Sequence, residues 1–165
     1  MIHSLCIDVI VPKMIQPVDR SLEARRALVS GGTKGSGAAI ARRLAAAGAT
    51  VLVTARTRPD DTDPDLFVAA DLSSPEGVVT AVREALARLE GIDILVNNLG
   101  GSRAPAGGFA VLTDEDWARE LNTNLLAAVR LDRGLLPGMI DQGRGAIVHI
   151  ASIQRRMPLW NGTLA

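Results

Sequence analysis

Ala27-Leu28-Val29-Ser30-Gly31-Gly32-Thr33-Lys34-Gly35-Ser36-Gly37 decides the reading of this chain. A short apolar strand, Ala27–Ser30, runs into a glycine-rich turn, and a helical pattern follows over Ala38–Ala47. Glycines let the main chain approach a ligand closely. The first N–H groups of a helix lack internal partners and sit at the positive end of its dipole. Strand, glycine turn and helix together form a cradle for a phosphate. The spacing Gly31-x-x-x-Gly35-x-Gly37 is not a P-loop, which needs Lys and Ser or Thr directly after its last glycine. The residues offered to a nucleotide here are Gly31, Thr33, Lys34, Gly35, Ser36 and Gly37.

Outward from this turn, strand and helix patterns alternate. Thr50–Thr54 reads as a second strand and Leu66–Ala70 as a third, with a polar, proline-bearing loop between them. Ser74 and Pro75 suit the N-cap and first position of a helix, whose stripe is Val78, Val82, Ala85, Leu86 and Leu89. Ile92–Val96 is a fourth strand ending in Asn97-Asn98, and the glycine-rich Gly100–Gly108 reads as a mobile loop. Thr113 and Asp116 resemble a capping box opening a long helix over Glu115–Leu136, with Trp117, Leu121, Leu125 and Ala128 on one face. Ala146–Ile150 is a fifth strand. The order predicts an α/β fold, a doubly wound parallel sheet of Rossmann type. Residues 1–22, broken by Pro12 and Pro17, read as an N-terminal extension to a dinucleotide-binding domain over 23–165.

Composition narrows the function. Lys and Arg number 18 against 18 Asp and Glu, so no basic footprint for nucleic acid is present. One cysteine and two histidines argue against a Cys-rich or His-rich metal site. No apolar run has the length of a membrane span, and the N-terminus makes a poor signal peptide, so a cytoplasmic location is expected.

An acid at the tip of the second strand would accept from a ribose 2′-OH, whereas a cation there suits a 2′-phosphate. Thr54-Ala55-Arg56 ends that strand, and Arg56 with Lys34 favours NADP over NAD. Asp71 reads equally as an adenine-side residue or a turn residue. Asn122 and Asn124 are unfavourable inside a helix; polar bonding in a site is one account and simple exposure the other, which suits one of the pair. Ser152 follows the fifth strand without a nucleophile elbow, which argues against a serine hydrolase.

Together these residues resemble the short-chain dehydrogenase/reductase family. Its glycine motif is matched by Ser30–Gly37, its N-N-A-G by Asn97-Asn98-Leu99-Gly100, and its adenine-side pair by Asp71-Leu72. The resemblance implies a cofactor site that includes Arg56, Asp71, Leu72, Asn98 and Gly100. It implies catalytic roles for Asn124, in a proton relay, and Ser152, at the substrate oxygen. The substrate it implies is an alcohol or carbonyl compound. The family's acid–base pair is Tyr-x-x-x-Lys downstream of the serine, and the sequence contains no tyrosine. A fold truncated after about five strands and inactive alone is therefore expected. A non-catalytic NADP-binding module and a remnant of a longer gene are the alternatives. An open fifth strand and an uncovered face of the long helix would promote self-association or dependence on another chain.

Overall fold

The computed structural model describes residues 21–152. Most of the expected N-terminal extension and everything after Ser152 lie outside the described residues. Five parallel strands, β1 (Arg26–Ser30), β2 (Thr50–Ala55), β3 (Phe67–Ala69), β4 (Ile94–Asn97) and β5 (Ala146–His149), form one sheet in the order β3-β2-β1-β4-β5. Four α-helices connect them: α1 (Gly35–Ala46), α2 (Pro75–Leu89), α3 (Asp114–Leu121) and α4 (Ala127–Asp141). The strand order reverses between β1 and β4, so the chain segments leaving these two strands diverge and open a crevice at their carboxyl ends. No described helix is long and apolar enough to cross a membrane.

Alternate residues of each strand supply two separate cores. Leu28, Leu52 and Leu95 point to one face, where Val78, Ala81 and Ala85 of α2 and Leu131 and Leu135 of α4 cover them. Val29, Val53 and Val96 point to the other, under Ala41 and Ile40 of α1. Coverage on both faces is why these strands are apolar without alternation.

Several boundaries differ from the sequence expectation. Helix α1 begins inside the glycine motif, at Gly35, because the end of the turn is already the first helical turn. Helix α4 runs through Pro137 to Asp141 rather than stopping at Leu136. Pro137 is exposed and close to the helix end, where the missing N–H and the ring are accommodated on the solvent side. Leu86 of α2 faces outward, and Ala81 takes its place in the core. The cap at Ser74 and the capping box of Thr113 and Asp116 form as the sequence predicts.

The long helix is divided by a π-helical turn, Asn122–Leu126. Three successive polar side chains explain it. Asn122 Nδ2, Thr123 Oγ1 and Asn124 Nδ2 donate to the carbonyls of Ala118, Arg119 and Glu120, four residues earlier, at 2.8, 3.0 and 3.0 Å. Side chains that return to these carbonyls compete with the backbone N–H groups and loosen the helix locally. The packed face is also not the expected one. Ala127, Leu131, Leu135 and Met139 are buried, while Leu121, Leu125 and Val129 are exposed. Continued through the first half of the long helix, the buried face passes through Glu120 and Asn124, polar residues where apolar ones were sought. Val148 of β5 and Ile150 just past it are likewise exposed.

At the amino ends of the strands, buried Asp93 gathers three elements. It accepts from Arg26 N at 3.0 Å, Arg26 Nε at 2.9 Å and Arg144 Nε at 2.7 Å. Arg26 Nη2 donates to Gln142 Oε1 at 2.8 Å, and Gln142 Nε2 donates to the Ile92 carbonyl at 2.7 Å. The Arg26 side-chain hydrogen bond above all, helped by Arg144, holds the Asp93 carboxyl well below the usual carboxylate range. This cluster ties β1, β4 and the connection into β5 at the end opposite the crevice.

Candidate functional site

The glycine turn sits at the carboxyl end of β1, beside the residues that end β4. Ser30 is the latch between them. Its hydroxyl accepts from the N–H groups of Asn98 and Leu99, at 2.9 and 3.1 Å, and donates to the Val96 carbonyl at 3.3 Å. Asn98 then braces the turn itself. Its Nδ2 reaches the carbonyls of Ser30 and Gly31, and its Oδ1 accepts from Ser36 Oγ at 3.0 Å. The Asn98 carboxamide thus shapes the glycine turn from the side of β4.

The turn is tight where it must be and open where a ligand needs room. A Cβ on Gly37 would lie 2.2 Å from the Gly31 carbonyl oxygen and 2.5 Å from Asn98 Nδ2, so no larger residue fits. A Cβ on Gly35 would meet nothing within 4 Å. Lys34, the N-cap residue of α1, makes no side-chain hydrogen bond to the first turn. Lys34, Gly35 and Ser36 are exposed, so the start of α1, the positive end of the helix, is open to solvent, as an anion site requires. These features fit the phosphates of a dinucleotide. Gly32, not singled out by its sequence context, is also sterically fixed: its Cβ would lie 2.6 Å from Val53 Cγ1.

Arg56 and Asp71 stand just past the carboxyl ends of β2 and β3. Asp71 Oδ1 accepts from Ser73 N at 3.1 Å and Ser73 Oγ at 2.7 Å, an Asx-type turn that leads into α2. Those hydrogen bonds, with smaller help from the positive charges of Arg56 and Arg103, hold the Asp71 carboxyl below its ordinary value. Arg56 thus lies within electrostatic reach of Asp71, and both it and Lys34 are exposed. The side chain of Leu72 is buried in the larger core, so it is the main chain of Leu72 that faces a ligand at this edge. Thr33 is half-buried within the turn.

Asn97 and Asn124 are structural anchors as placed. Asn97 Nδ2 donates to Asp132 Oδ1 of α4 at 2.8 Å. Asn124 brackets one residue of the loop after β4: its Oδ1 accepts from Gly101 N at 2.9 Å and its Nδ2 donates to Gly101 O at 2.8 Å. The start of the loop, expected to be mobile, is thereby pinned. Gly100 adjoins Asn124 closely enough that a Cβ would stand 3.3 Å from Asn124 Oδ1. Ser152 lies beyond β5 on the carboxyl side of the sheet and is exposed. Among the described residues no group of three or more His, Cys, Asp or Glu is arranged to hold a metal.

Comparison with known proteins agrees with this geometry. The family model described as short chain dehydrogenase matches residues 25–164. The uncharacterized oxidoreductase YvrD of Bacillus subtilis is 35% identical over 151 residues, covering 86% of this chain and 56% of that protein. The crystal structure of L-sorbose reductase from Gluconobacter frateurii, complexed with NADPH and L-sorbose, superposes with a TM-score of 0.81 at 35% identity. That match covers 88% of this chain and 59% of the reductase. An NADH-dependent reductase complexed with NAD matches with a TM-score of 0.77 at 25% identity, over 88% of this chain and 67% of its own. The chain spans about half the length of the curated relatives it matches.

Proposed function

The chain belongs to the short chain dehydrogenase family, and from that premise we propose that it binds NADP(H) in the crevice between β1 and β4. One observation carries the reading: the uncapped start of α1 opens into free space over Gly35, with Lys34 at its edge and Arg56 toward the adenine side. The N–H groups of the first turn would donate to the pyrophosphate. Lys34 and Arg56 would contact a 2′-phosphate, a choice with no role for an acid at the tip of β2. When bound, the nicotinamide supplies hydride exchange with an alcohol or carbonyl carbon. The chain's own part is to hold the dinucleotide and to wall the groove with residues 98–103. Ser152 is the residue proposed to steady the substrate oxygen. No tyrosine, the proton donor that the family resemblance implies, is among these 165 residues.

Titration of the chain with NADPH and NADH, followed by calorimetry, tests this. One or two charge-assisted contacts to the 2′-phosphate predict about tenfold to hundredfold tighter binding of NADPH. Equal affinities would remove the NADP preference, and heat from neither cofactor would remove the binding function.

A further inference from the structure

Glu120 is a carboxylate buried to 4% exposure on a helix face that otherwise packs apolar residues. Nothing in its sequence context marks it. Its contacts give it a place beside the crevice. Glu120 Oε1 accepts from the backbone N–H of Arg103 at 2.9 Å, and Oε2 accepts from Asn124 Nδ2 at 3.3 Å. Arg119 Nε stands 3.7 Å from Oε1, on the exposed side of the same helix.

These contacts have a regular arrangement. Asn124 holds Gly101 through both its N–H and its carbonyl, and Glu120 holds Arg103 through its N–H. Residues four apart on the helix therefore grip residues two apart on the loop, which runs antiparallel along that face. One helical turn advances about 5.4 Å and two extended residues about 6.6 Å, so the two spacings nearly match. The donors at 101 and 103 belong to a segment with no strand or helix to satisfy them. The helix side chains take the place of a neighbouring strand.

We propose that Glu120 is a positioning residue: with Asn124 it forms a two-rung ladder that fixes residues 101–103 as a wall of the crevice. The ladder also sets Asn124, whose Nδ2 is shared between Gly101 O, Glu120 O and Glu120 Oε2. Removing either side of the outer rung frees residue 103 and, because the two rungs hold one short segment, loosens the inner rung at Gly101 as well. Arg103 loses its fixed backbone position, and its guanidinium, whose charge acts on Asp71 across the crevice, loses its mooring. The consequence for NADP(H) rests on the cofactor reading above; the ladder itself does not.

Amide hydrogen exchange of Gly101 and Arg103 in the ligand-free chain tests the ladder, with NADPH affinity as the second readout. Glu120→Leu fills the space without an acceptor and is expected to speed exchange at Arg103 by about tenfold or more, the effect of losing one hydrogen bond to a charged group. The NADPH Kd is expected to rise about threefold to tenfold as the closed loop becomes less populated. Glu120→Gln keeps one oxygen for the Arg103 N–H and is expected to restore most of both. From the loop side, Arg103→Pro deletes the same donor without touching the helix and should reproduce Glu120→Leu, whereas Arg103→Ala retains the N–H and should leave Arg103-position exchange slow. The Arg103 pair decides the matter if Glu120→Leu fails to fold. Unchanged exchange at 101 and 103 in Glu120→Leu, or in Arg103→Pro relative to Arg103→Ala at position 101, overturns the ladder. Failure of the unsubstituted chain to bind NADPH overturns the cofactor reading alone, because the exchange result is obtained without ligand.

Discussion

Replacing Asp93 with Ala removes the acceptor that Arg26 and Arg144 share. Asp93 is 4% exposed and accepts from the backbone and side chain of Arg26 as well as from Arg144. The substitution leaves the Arg26 backbone N–H and part of a mostly buried guanidinium without an anion. Breaking a buried pair from one side costs about 3–5 kcal/mol. At about 2–4 °C per kcal/mol for a domain of this size, the melting temperature falls by about 6–20 °C. Arg144 is half exposed and makes one of these contacts, so Arg144→Ala should cost about 1 kcal/mol or less. The sign of the pH dependence follows from the depressed carboxyl of folded Asp93. Between its folded value and about 3.9, the unfolded chain binds more protons, so stability rises with pH. The contribution is full above about pH 5 and is lost as pH falls toward the folded value. Urea unfolding at pH 7 and pH 3 should show the gap between unsubstituted and Asp93→Ala proteins narrowing by about 1 kcal/mol at the lower pH. A loss below about 1 kcal/mol at pH 7, or a gap that widens in acid, would refute the clamp.

Two further outcomes concern the crevice. Gly37→Ala drives a Cβ against the Gly31 carbonyl and Asn98, a collision of backbone with backbone that costs about 1–3 kcal/mol and reshapes the turn; NADPH binding by calorimetry should weaken at least about tenfold. Lys34→Ala and Arg56→Ala should each weaken NADPH about tenfold while leaving NADH binding unchanged. Equal losses for both cofactors would place these cations away from the 2′-phosphate.

Much of the site was legible because it is local. The glycine turn, the strand before it and the helix after it fall within Arg26–Ala46, and their chemistry needs no distant partner. What the motif did not disclose is how the turn is kept in shape. Asn98 and Ser30 meet across 68 residues of sequence, and Glu120 meets Arg103 across 17. The carboxamides of Asn98, read by motif as a cofactor residue, and of Asn124, read as a proton-relay residue, both bond to the backbone of neighbouring loops, contacts the motifs do not show. Leu72 shows the same limit in reverse: it follows Asp71 in the motif, yet its side chain belongs to the core.

The sequence by itself determined the alternation of strands and helices, the parallel sheet and the glycine turn between β1 and α1. Those rest on periodicity, glycine placement and capping, which act within a few residues. The tertiary structure decided which face of the long helix is buried, where Asp93 joins three elements, and how Glu120 and Asn124 grip the loop. A buried polar residue interrupts an apolar stripe and so hides the face it belongs to. Only the folded chain brings its hydrogen-bond partner within 3 Å and reveals why it is there.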